Sequence, residues 1–110
     1  MPVDNPNVID AVGVLPAENQ VVLTIFDHLE WDDADNHLLT LQEKINRYLA
    51  FIESGELLEK YPAAADRQIR VDVRCQYTPS SHGERFLERA RVVVEGAGFL
   101  LSWRVLGEHA

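Results

Sequence analysis

From Gln68 to Tyr77 the chain alternates apolar and polar side chains, with Ile69, Val71, Val73, Cys75 and Tyr77 on one side and Arg70, Asp72, Arg74 and Gln76 on the other. A period of two predicts a strand with one buried face. Between Asp33 and Ser54 the period becomes that of a helix, and Leu38, Leu41, Ile45, Tyr48, Leu49 and Ile52 fall on one stripe. Asp32, Asp33 and Asp35 supply N-cap candidates and favourable charge at the positive end of its dipole, and Gly55 follows as its C-cap. Glu43 and Arg47 lie on the opposite, solvated face. A second helix opens at Pro79-Ser80-Ser81, where Ser81 and Glu84 have capping-box spacing. Its inner stripe is Phe86, Ala90, Val93, Val94 and Ala97, and Gly96 and Gly98 end it.

Three further strands complete the reading. Asn5 precedes Pro6 and is pushed out of the helical region, so residues 1–6 form a turn segment. Val8 to Val14 is a short strand, and Gln20 to Leu29, rich in β-branched residues, follows after the turn at Pro16 to Asn19. So short a connection predicts an antiparallel hairpin. The connector Glu56 to Arg67 holds a helical turn around Leu57 and Leu58 that Pro62 stops. Phe99 to Leu106 is the last strand, with Phe99, Leu101, Trp103 and Val105 alternating against Leu100, Ser102, Arg104 and Leu106; residues 107–110 are expected to form a disordered tail.

The order is therefore ββαβαβ. Strand, helix and strand in one sheet are joined by right-handed crossovers that leave the strands parallel, so strands two, three and four run parallel and strand one antiparallel to them. The expected fold is α+β, a two-layer sandwich of a four-stranded mixed sheet with two helices on one face and the other face open.

Composition narrows the function classes. The 110 residues suffice for one domain with one core, and no apolar run approaches the roughly 18 residues of a membrane span. The opening MPVDNPNV lacks a cationic region followed by an apolar one, so no secretory signal is expected. Cys75 is the single cysteine and has no internal disulfide partner, which fits a reducing, cytoplasmic compartment. With 18 acidic against 10 basic side chains the net charge is −8, which disfavours nucleic acid and anionic membranes as partners.

The stretches Asp27-His28-Leu29-Glu30-Trp31, His37-Leu38-Leu39, Leu41-Gln42-Glu43-Lys44-Ile45-Asn46, Tyr48-Leu49 and Phe51-Ile52-Glu53-Ser54-Gly55 resemble a family of small bacterial proteins known only as a domain of unknown function. The resemblance takes in the Asp4-Asn5-Pro6-Asn7 opening and nearly the whole chain. It implies a bacterial cytosolic origin and one intact domain, and brings with it no catalytic or binding residues.

The densest polar cluster is Asp27, His28, Glu30, Asp32, Asp33, Asp35 and His37, where strand two leaves the sheet and helix one begins. Open α/β sheets bind ligands beside the carboxyl ends of their strands. Asp27, His28, Glu30 and His37 are accordingly the candidate ligands for Zn²⁺ or Mn²⁺ in a small metal-assisted or acid/base enzyme, although the spacing matches no known ligand pattern. The competing reading is structural: acids capping a helix N-terminus and solvated histidines. Cys75 points inward and reads as a small hydrophobe, and Ser80 and Ser81 read as caps without a nucleophile elbow. Trp31, in the loop before helix one, is either a binding anchor or folds back onto the core.

No cofactor signature is present, and the favoured reading is a non-enzymatic interaction module. Its surface is the open sheet face, with Phe26, Arg70, Arg74, Leu100 and Arg104 as the contact residues, and its partner is another protein or a second copy of the chain; the alternative of equal weight is that these arginines lie over the apolar groups and pair with Asp72 and solvent.

Overall fold

The computed structural model describes residues 11–29, 31 and 34–106, and every structural statement below refers to these. The sheet follows from the alternation. β1 (Ala11–Leu15) pairs antiparallel with β2 (Gln20–Asp27), β2 parallel with β3 (Gln68–Cys75), and β3 parallel with β4 (Leu100–Val105). The spatial order is β1-β2-β3-β4, so the expected ββαβαβ mixed sheet is the fold of the protein. Between β1 and β2 the chain turns through Pro16–Glu18 and Asn19, whose left-handed φ of 54° a short amide side chain tolerates. The N-terminal turn segment 1–6, the Val8 to Asp10 start of the first strand, and the tail 107–110 lie outside the described residues.

Register lines up two kinds of row. On one face Leu23, Val71 and Leu101 form a row, as do Ile25, Val73 and Trp103. These pack under α1 (Ala34–Glu53) and α3 (Ser81–Gly96), with Leu41, Ile45, Tyr48, Ile52, Leu87 and Val94 closing the core. Tyr48 also ties helix to sheet, its hydroxyl donating to the Thr24 carbonyl at 2.7 Å. The opposite face carries the rows Val22, Arg70 and Leu100; Thr24, Asp72 and Ser102; and Phe26, Arg74 and Arg104.

Helix ends follow the local chemistry. Gly55, at φ +89°, lets the chain leave α1, and the short α2 (Glu56–Lys60) stops before Pro62. The end of α3 is a Schellman turn: Phe99 N–H donates to Val94 O at 3.1 Å and Gly98 N–H to Glu95 O at 3.0 Å, with Gly98 at φ +97°.

Four sequence expectations are corrected. The N-cap of α3 is Ser80, which stays extended while its hydroxyl accepts from Gly83 N–H at 3.2 Å; Ser81 is already helical and makes no reciprocal box with Glu84. The inner stripe of α3 is Gly83, Phe86, Leu87, Ala90 and Val94, whereas Ala97 is exposed and Val93 is 65% exposed, because the packing of Gly83, Leu87 and Val94 sets the rotation of the helix. Tyr77 is not a core residue, since β2 ends at Asp27 and the ladder stops at the Asp27 and Cys75 row. The stripe of α1 also includes His37, Lys44 and Phe51, all buried.

Candidate functional site

Two places in this frame gather polar side chains. The first is the carboxyl end of the central strands. Asp27 closes β2 and points to the helix side, where His37 in the first turns of α1 meets it, Nε2 lying 2.7 and 2.6 Å from the two carboxylate oxygens. Leu29 N–H donates to the same carboxylate at 3.2 Å. Trp31 lies over the imidazole, ring centroids 3.7 Å apart and planes at 24°, and its indole N–H donates to Tyr77 O at 3.2 Å. Gly83 sits against the other part of the indole, so closely that a Cβ there would lie 2.7 Å from a ring carbon.

This end of the sheet is closed over. Asp27, His37 and Trp31 are all buried, so Trp31 folds back onto the core. Cys75 is the register neighbour of Asp27, and burial first, then the charges of Asp27 and Asp72, push its thiol up to about 12. A thiol held protonated in this way is a poor nucleophile. Of the four candidate ligands, Asp27 and His37 come together, His28 is exposed outside the pair, and Glu30 lies outside the described residues. Among the described residues no three His, Cys, Asp or Glu side chains are grouped to hold a metal ion. The capping acids Asp32 and Asp33 and the side chain of Asp35 are likewise outside the description.

The second place is the sheet face turned away from α1 and α3. A trough of about 660 Å³ runs across it, walled by β1 residues such as Ala11 and Leu15 and floored by Thr24, Asp72 and Ser102. Phe26, Arg70, Arg74 and Arg104 line it, while Leu100 borders the same face at the β4 edge. Asp72, only 1% exposed, gathers the polar groups: Arg74 Nε donates to its Oδ2 at 3.2 Å, Arg104 Nη2 to the same oxygen at 3.3 Å, and Ser102 Oγ to Oδ1 at 3.0 Å. Arg70 donates to Gln20 Oε1 at 3.4 Å. The five residues expected to form a contact surface thus share one face. Glu18 stands at the rim near the β1–β2 turn.

One feature of the polar architecture escaped the sequence reading altogether. Lys44 is fully buried in mid-α1, its ammonium 5.5 Å from the centre of the Tyr48 ring. Its position three residues after Leu41 and four before Tyr48 placed it on the buried stripe. The pairing of the outward arginines with Asp72 was an expected alternative, and it holds for Arg74 and Arg104; within it the bond from Ser102 to Asp72 was not foreseen, because it needs the β3–β4 register.

The fold is an α+β sandwich with one covered and one open sheet face. The chain belongs to a family of unknown function, DUF6572, whose model matches residues 1–107. No curated protein and no solved structure matches it.

Proposed function

We propose that this protein is a non-enzymatic interaction module, bacterial and cytosolic, that works through the open sheet face by docking on another protein or on a second copy of itself. The observation that carries the reading is compositional: Phe26, Val22 and Leu100 share that face with Arg70, Arg74 and Arg104, on a chain whose net charge is −8. Arginine beside aromatic and aliphatic area is what interface cores favour, and local positive charge on an acidic body sets partner orientation. The lone buried cysteine supports a reducing compartment.

The alternative, a metal-assisted or acid/base enzyme at the Asp27 end, rests on the Asp27–His37 pair, and the burial of that pair under Trp31 weakens it. Phe26→Asp and Arg74→Glu, made separately, test the favoured reading by folding, oligomeric mass and binding to purified partner. Association lost at an unchanged melting temperature supports an interface, and association unchanged in both variants removes it.

A further inference from the structure

The row of Phe26, Arg74 and Arg104 puts two guanidinium-bearing side chains directly opposite each other on adjacent strands, an arrangement that like charges ordinarily destabilise. One buried carboxylate in the next row holds them there. Both bonds end on Asp72 Oδ2, at 3.2 Å from Arg74 Nε and 3.3 Å from Arg104 Nη2, while Ser102 steadies Oδ1. The cluster carries two positive charges against one negative.

A guanidinium has five N–H donors in a planar fork, and each of these gives Asp72 one. Arg74 bonds through Nε, so its two terminal nitrogens are not spent on Asp72, and Arg104 is 64% exposed at its side chain. The remaining donors match the planar, two-oxygen geometry of a carboxylate.

We propose that Arg74 and Arg104, clamped on Asp72, form a receptor for the side-chain carboxylates of an acidic segment in a protein partner, laid in the trough beside Phe26. The proposal rests on the reading of this face as the docking surface and names the chemistry of what docks. Charge chooses between occupants. A long polyanion is repelled by a body of net charge −8, whereas a short acidic segment meets the guanidiniums well inside the Debye length of about 8 Å at physiological salt. Glu18 at the far rim disfavours extending the acidic stretch toward the β1–β2 turn, so the carboxylates belong at the Phe26 and Arg104 end. The trough, at about 660 Å³, falls within the size range of ligand clefts.

The test is fluorescence anisotropy of a labelled hexaglutamate peptide titrated with the full chain. Saturable binding is expected, weakened about tenfold or more in Arg74→Gln/Arg104→Gln, the scale of losing charge-assisted bonds. Arg91→Gln, on the exposed side of α3 where Arg91 pairs with Glu88, is expected to leave binding unchanged. Should the glutamine double variant misfold, Arg74→Lys/Arg104→Lys keeps the charge and removes the fork, and weaker binding by that folded variant is the expected result. No binding by the wild type, or equal binding by the double variants, overturns the receptor while leaving the Phe26→Asp association result to decide the face. Displacement of the peptide by inorganic phosphate at concentrations where acetate fails would make the site a phosphate site and overturn the proposal. A wild-type dimer that dissociates in the double variant would give the surface to a second copy, with the same consequence.

Discussion

Replacing Gly83 by alanine should destabilise this protein, against the ordinary effect of that change in a helix. Alanine is favoured over glycine within a helix by up to about 1 kcal/mol, so an unobstructed site would gain stability. At Gly83 the added Cβ would lie 2.7 and 2.8 Å from two carbons of the Trp31 ring. The ring cannot swing aside without cost, being stacked on His37 and bonded to the Tyr77 carbonyl. Overpacking costs about 1–3 kcal/mol, a lost indole bond about 1, and disturbed aromatic stacking about 0.5–1.5. Set against the helix gain, these costs leave a net loss of about 1.5–4.5 kcal/mol, a fall in melting temperature of roughly 6–18 °C for a domain of this size. Gly96→Ala is the control: nothing lies within 4 Å of a Cβ there, and the variant should range from neutral to about 1 kcal/mol more stable. Urea unfolding followed by tryptophan fluorescence and far-UV circular dichroism gives both values. A Gly83→Ala protein as stable as Gly96→Ala would refute the packing of Trp31 against α3, and with it the closure over the Asp27–His37 pair.

Three further outcomes follow from the same geometry. Ile45→Ala, in the buried stripe of α1, should cost about 2–5 kcal/mol in denaturant melts, while Glu43→Ala on the exposed face changes little. The Cys75 thiol is raised from 9.0 to about 12. The unfolded chain therefore releases this proton at lower pH than the folded one, and the stability present below pH 9.0 is lost as pH rises toward 12, at up to about 1.4 kcal/mol per unit. Wild type measured at about pH 8 and about pH 10.5 should show that extra loss and Cys75→Ala should not; parallel profiles would contradict the burial of the thiol. Zn²⁺, Mn²⁺ or Mg²⁺ should leave thermal melting unchanged, since a ligand at a hundred times its dissociation constant would add about 2.7 kcal/mol, and a rise of that size would restore Asp27, His28, Glu30 and His37 as a ligand set.

The sheet was legible because its signals are local. Alternation in Gln68 to Cys75 marked β3 and both of its faces, and chain order with right-handed crossovers led to a mixed sheet with β2, β3 and β4 parallel; the spatial order β1-β2-β3-β4 is set by pairing that chain order alone does not fix. Errors arose where tertiary contact decides. Val93 lies beside the true stripe of α3 by periodicity alone, and the tertiary contacts of Gly83, Leu87 and Val94 decide which flank turns inward. Tyr77 continued a flawless alternation past the point where its neighbouring strand ends. Lys44 was overlooked because its charge hid its place on the α1 stripe, where the long stem packs like an apolar side chain. In the candidate surface, the identity of the outward residues followed from parity along each strand. Pairing of the outward arginines with Asp72 was legible as an alternative from the same parity, whereas the joint seat of Arg74, Arg104 and Ser102 on one carboxylate depends on β4 standing in register beside β3, with Ser102 opposite Asp72 and Arg104 opposite Arg74.

The central claim, that the open sheet face is the working surface, is tested most directly by nitrogen-15 NMR of the full chain, reading backbone amides together with the arginine Nε–H signals during titration with hexaglutamate. The account predicts shifts at Phe26, Arg74, Ser102 and Arg104, with Arg85, Arg89 and Arg91 of α3 unmoved. Shifts centred on α1 and α3, or on the Asp27 end of the sheet, would contradict it.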